Sequence, residues 1–108
     1  MDKVYRIIYT ESAVRDMEEK ADYICFNLRD PHLAEAWYFR LRAEILSDLA
    51  HFPLKYPLYS LQKWRGIRQF IFRNDVILYS VNEEEQSVYI RAVCTKGRDL
   101  TSHLDKSI

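Results

Sequence analysis

The sequence predicts an α+β fold in the order β-α-α-β-β-β, with a helical hairpin packed on a twisted, mainly antiparallel four-stranded sheet. Three observations carry this reading. The chain opens on a β-branched and aromatic segment, KVYRIIY. Two apolar stripes at helical spacing follow, separated by Asp30-Pro31. The stretch from Gly66 to Asp99 then alternates three apolar segments with polar turns. All 108 residues are expected to form a single domain, residues 1–108, a length that supports one modest core.

Lys3 to Tyr9 reads as the first strand because β-branched and aromatic side chains suit a pleated surface. Thr10 supplies an N-cap hydroxyl, and Glu11 puts negative charge in the first helical turn. Ala13, Met17, Ala21, Ile24 and Leu28 recur at three- and four-residue steps, one apolar face of a helix. Asp30 caps a second helix and Pro31 suits its first position. Ala34, Trp37, Leu41, Ile45 and Leu49 form its stripe, and Phe52-Pro53 ends it. The link between the helices is short, so they are expected to pack antiparallel, with Trp37 and Leu41 buried against the sheet.

Leu54 to Trp64, with Pro57 and several Tyr and Lys, reads as a connecting loop. Ile67 to Arg73 is the next strand, Arg73-Asn74-Asp75 a tight turn, and Val76 to Asn82 a strand apolar on both alternations. Such a pattern belongs to a central strand covered on both faces. Glu83 to Gln86 makes a turn, Ser87 to Thr95 the last strand, and Gly97 its end. The residues after Asp99 are expected to form a short helical turn or to fray.

Composition narrows the function. The apolar content of 48% excludes a disordered chain, and two Gly exclude a Gly-rich phosphate loop. Sixteen basic residues balance sixteen acidic ones, which argues against a generic nucleic-acid coat protein. The balance is uneven along the chain: from Lys63 to Arg98 there are seven basic residues and four acidic, and three of the acids are Glu83, Glu84 and Glu85. Those three read as a solvated turn, which leaves the C-terminal sheet locally basic and able to meet an anionic partner. Cys25 and Cys94 read as reduced thiols of a cytoplasmic chain. His32, His51 and His103 are scattered, without zinc spacing, so neither a metal nor another cofactor is expected. No signal peptide precedes Val4 and no apolar run reaches membrane-spanning length, so no membrane association is expected.

The order and spacing of several elements resemble the RelE/ParE superfamily, the small toxins of type II toxin–antitoxin pairs. The matching residues are Thr10-Glu11-Ser12-Ala13, Ala21-Asp22-Tyr23-Ile24, Asp30-Pro31 with Ala34, Phe52-Pro53, Tyr56-Pro57 and Gly66-Ile67-Arg68. They continue with Val76-Ile77-Leu78-Tyr79-Ser80-Val81 and the ending from Val93 to Asp99. The resemblance implies a growth inhibitor, often part of plasmid stabilisation, that is neutralised by a cognate antitoxin wrapped around it. It also implies two mechanistic branches. RelE-like members share the fold of microbial ribonucleases and cleave mRNA on the ribosome without a metal. ParE-like members poison DNA gyrase.

Cleavage by the 2′-hydroxyl requires a proton acceptor, charge stabilisation at the phosphorane and a proton donor for the leaving oxygen. By resemblance to the nuclease branch, the catalytic candidates are Arg68, Lys96, Arg98 and His103. The candidates for binding target or antitoxin are Lys63, Arg65, Arg68, Arg73, Arg91, Lys96 and Arg98. Several have a plainer alternative. Arg68 can pair with an acidic helix residue and steady the sheet. Lys96 and Arg98 can be solvated turn residues, and Lys63 and Arg65 can belong to an ordinary loop whose Trp64 plugs the core. Taken jointly, the cations are expected to cluster on one side of the sheet. Two nuclease positions depart from the pattern: Val76 stands where a basic residue is expected, and a C-terminal tyrosine is absent, leaving His103. Tyr79 reads as core. The neutral charge, the incomplete acid–base set and the ending CTKGRDLTSHL tilt the reading toward ParE-like gyrase inhibition. A RelE-like mRNA endoribonuclease is the alternative, and an inactive toxin-fold binding module the second.

Overall fold

The computed structural model describes residues 4–58 and 66–97. Its elements are β1 (Arg6–Tyr9), α1 (Glu11–Asp22), a π-helical turn (Tyr23–Asn27), α2 (Pro31–Leu49), β2 (Arg68–Phe72), β3 (Asp75–Asn82) and β4 (Ser87–Thr95). The two helices lie on a mixed four-stranded sheet in the order β1-β4-β3-β2, with β1 parallel to β4 and the other pairs antiparallel. The expected α+β order is therefore present.

Both helix starts follow the chemistry of their caps. The Thr10 hydroxyl accepts the Ala13 N–H at 3.2 Å and donates to the Ile90 carbonyl at 3.0 Å, so one side chain caps α1 and ties it to β4. The Asp30 carboxylate accepts the Leu33 N–H at 2.9 Å ahead of Pro31. The first helix does not stay α-helical to Leu28. Its last turn widens into the π form, and Arg29 takes a left-handed φ of 55° that ends it.

Two apolar clusters occupy the two faces of the sheet. On the helix side Ala13, Met17, Leu41, Ile45 and Leu49 meet Phe70, Ile77, Tyr79, Val88, Ile90 and Val93. On the other side Ile67, Val76, Leu78, Ala92 and Cys94 are buried together. That double burial is why Val76 to Val81 reads apolar on both alternations, and β3 is an interior strand as expected. A register shift pairs Leu78 with Ala92 but Tyr79 with Ile90, leaving Arg91 as an extra residue in β4. This bulge sends Ala92 to the open face and Val93 to the helix face.

Three expectations need correction. β1 begins at Arg6, and Tyr5 instead donates its N–H to the Ala50 carbonyl at 2.8 Å. Asp75 is the first residue of β3, not part of the turn, and is only 3% exposed. Trp37 packs against the core but is only half-buried, because its indole also lines a cleft, while Leu41 is 1% exposed.

Candidate functional site

A cleft of about 650 Å³ opens where the helical hairpin meets the Asn74–Thr95 end of the sheet. Its walls are mainly apolar, with Tyr23 and Ile24 from the π turn, Leu28 and Leu33 beside the interhelical link, Trp37 from α2 and Val93 from β4, and they also carry the charged Glu19 and Arg40. The Pro31 start of α2 follows the π turn so closely that these side chains converge.

Two lining residues, Lys20 and Trp37, converge on the buried Asp75 behind the cleft. Its Oδ2 accepts the Trp37 indole N–H at 2.8 Å, and its Oδ1 forms an ion pair with Lys20 Nζ. Lys20 also reaches Thr95 Oγ1 at 3.3 Å and sits 5.3 Å from the Trp37 ring centroid. The paired side chains are 21% (Lys20) and 5% (Asp75) exposed. Beside them Asp16 accepts the Val93 backbone N–H at 3.0 Å. A carboxylate this buried is tolerable only with both oxygens satisfied, and here both are. Sequence reasoning missed this network. The available signal was an Asp directly ahead of a strand apolar on both faces, where a solvated turn residue is not required.

The tyrosines near the loop after α2 are held protonated. Burial, the Asp48 carboxylate that its hydroxyl donates to, and the nearby Glu44 push the Tyr56 phenol up to about 12. Tyr79 donates to the Pro53 carbonyl at 2.6 Å, and burial raises its phenol still more strongly against the opposing pull of Arg68. Tyr79 is a core residue, as expected. At neutral pH neither phenol is a proton acceptor.

The described basic candidates do not converge. Arg68 lies beside Tyr79 on the helix face and donates to the carbonyls of Tyr56 at 2.5 Å and Leu54 at 3.3 Å. It steadies the loop through backbone oxygens instead of an acidic helix residue. Arg91 projects to the opposite face, where its Nε donates to Ser80 Oγ at 2.9 Å and its guanidinium lies over Tyr89. Arg73 is exposed in the β2–β3 turn with its guanidinium over Phe72. Lys96 is exposed beside that turn, its N–H bonded to the Asn74 carbonyl at 2.8 Å. So Arg73 and Lys96 share one end of the sheet, while Arg68 and Arg91 sit on different faces. Lys63, Arg65, Arg98 and His103 lie outside the described residues. Among the described residues no cluster of His, Cys, Asp or Glu could hold a metal ion, and no helix is long and apolar enough to cross a membrane.

Comparison with known proteins places this geometry in a family. No curated protein sequence matches the chain. Among solved structures, the toxin–antitoxin complex RelBE2 from Mycobacterium tuberculosis contains a chain with 21% identity and a TM-score of 0.63. The alignment covers 91% of this chain and 100% of that one. A chain of the chromosomal ParDE toxin–antitoxin system from P. aeruginosa has 12% identity and a TM-score of 0.71, with 87% and 98% covered. A mutant of the E. coli toxin RelE in the free state has 14% identity and a TM-score of 0.53, with 96% and 94% covered. These likenesses are likenesses of fold. The sequence itself matches the family described as ParE toxin of type II toxin-antitoxin system, parDE, over residues 7–100. The chain therefore belongs to the ParE toxin family and is the toxin component of a type II toxin–antitoxin system.

Proposed function

We propose that this toxin acts in the ParE-like manner, by inhibiting DNA gyrase, and not as an mRNA endoribonuclease. One observation carries the reading: the described basic candidates are dispersed over both faces and one end of the sheet, and the position where the nuclease branch has a cation is a buried valine. Val76 is 3% exposed and packs among Leu78, Ala92 and Cys94. A buried aliphatic side chain can neither move a proton nor stabilise a phosphorane. Tyr79 is protonated and bonded to a carbonyl. The toxin works in the cytoplasm, where gyrase is found, and folds as one domain.

A cognate antitoxin neutralises it. The relatives in RelBE2 and ParDE are parts of toxin–antitoxin systems. The apolar cleft at the helical hairpin fits the anchoring side chains of an amphipathic helix, and the open edge of β1 accepts an added strand. The β2 edge is less available, because Leu58 bridges to Arg68 and the Pro57 carbonyl takes the Gln69 N–H.

The deciding experiment adds the purified toxin to two reconstituted assays: DNA supercoiling by gyrase, and translation with mapping of mRNA ends. Loss of supercoiling with intact mRNA is expected. Ribosome-dependent cleavage with active gyrase would establish the nuclease alternative, and activity in neither assay, without toxicity on expression, would establish a binding module.

A further inference from the structure

The helix α2 is apolar on two nearly opposite sides. One stripe, Ala34, Leu41, Ile45 and Leu49, is buried against the sheet. The other, Ala36, Phe39, Ala43 and Leu46, faces solvent: Phe39 is 61% and Leu46 59% exposed, and both alanines are exposed. Its steps of three, four and three residues are the seam spacing of a two-stranded coiled coil. An exposed surface helix needs only one apolar stripe, so the second one asks for a partner. The ring of Phe39 is already braced edge-on against Tyr38, with centroids 5.7 Å apart.

We infer that this outer stripe of α2 is an interface between two copies of the chain, paired about a two-fold axis with the two helices running side by side in the same direction. Charge at the rim supports this occupant. Glu35 and Arg40 flank the stripe five positions apart, and both are exposed, Arg40 also bordering the cleft. That is the offset at which a glutamate of one parallel strand reaches an arginine of the other. The two-fold axis uses the pair twice. In such a seam Ala36 and Ala43 meet their own counterparts and let the helices approach closely, while Phe39 and Leu46 fill the alternate layers. The rim also carries Arg42, whose guanidinium is drawn off over Tyr9 at 4.7 Å and donates to the Tyr38 hydroxyl at 3.1 Å. The zero formal charge of the chain adds no long-range repulsion between copies. A rim of mixed sign suits self-association better than it suits an acidic segment of another protein. Two heptads bury little surface, so the dimer is weak and concentration-dependent.

Sedimentation of the purified full chain over a concentration series tests this. The mass is expected to rise from one copy toward two by about 1 mM, and Phe39→Glu, an exposed position, is expected to stay at one copy throughout. Circular dichroism establishes that the variant is folded, and Leu46→Glu serves as the second variant. Glu35→Arg is expected to weaken association roughly 3–10-fold, and adding Arg40→Glu to restore it. A wild-type chain that is monomeric at about 1 mM, or a Phe39→Glu chain that associates like wild type, overturns the proposal. So does charge reversal without effect. If the stripe gains hydrogen-exchange protection only when antitoxin is added to a monomeric chain, the face belongs to that partner instead.

Discussion

At the scale of single residues, Asp75 holds three elements together. It joins Lys20 of α1, Trp37 of α2 and the start of β3. Asp75→Ala leaves the indole N–H without its acceptor and a partly buried ammonium with only the Thr95 hydroxyl. The expected loss is about 2–4 kcal/mol, at the lower side of a broken buried pair because Lys20 keeps some contact with water. Urea unfolding checks it, and a loss below about 0.5 kcal/mol would show the network to be ornamental. Tyrosine ionisation sets a second expectation. The native Tyr56 phenol is raised from 10.0 to about 12, so the folded state retains a proton that the unfolded chain gives up. Its contribution is complete below pH 10.0 and is lost as pH rises toward 12. Tyr79 shifts in the same direction. Stability measured by denaturant titration should therefore fall between those limits, and Tyr56→Phe should flatten the fall. An unchanged slope in that variant would assign the alkaline loss elsewhere.

At the scale of elements, much of the fold is visible in the sequence and the departures have identifiable causes. Thr10, Asp30 and Pro31 mark helix starts because capping is local chemistry, and the last strand has the predicted ends, Ser87 and Thr95. The π turn at Tyr23–Asn27 was invisible, because Ile24 and Leu28 keep helical spacing whether the turn is α or π. The bulge at Arg91 was equally hidden, since it depends on how β4 meets β3. The site was harder still. The sequence suggests that cations such as Arg68 and Arg73 cluster on one side of the sheet, but strand alternation and turn position part them. The residue type of Asp75 points to a turn, while tertiary pairing with Lys20 and Trp37 holds it at the start of β3. Where the helix stripe was legible, it carries a firm expectation. Leu41 is 1% exposed in the core between α2 and the sheet. Leu41→Ala should cost about 2–5 kcal/mol in denaturant unfolding, and a near-neutral result would refute this packing.

At the scale of the whole molecule, a neutral chain with local cations predicts salt-sensitive recognition. Arg73 and Lys96 share the sheet end beside the cleft, where an acidic antitoxin segment can meet them. Antitoxin affinity should fall as salt rises from 0.05 to 0.5 M (roughly tenfold for a few screened contacts), as titration calorimetry would reveal. Affinity indifferent to salt would leave the apolar cleft as the whole of the recognition. Toxicity is expected to depend on the basic end of the chain as well. Lys96→Ala and Arg98→Ala should each relieve growth arrest while the protein stays folded, and two fully toxic variants would remove both residues from the target surface.

The parallel pairing of β1 with β4 also sets a timetable. Arg6 to Tyr9 find their strand partners only at Ser87 to Ile90, near the other end of the sequence. During synthesis at about 5–20 residues per second, the first strand waits roughly 4–16 s for its neighbour to be made. Until then Thr10 lacks the Ile90 carbonyl, and the apolar face of α1 lacks the strand it covers. A nascent chain halted before Ser87 has no closed core. The sheet therefore closes only once β4 has been made, and an antitoxin already present has that interval in which to reach the chain.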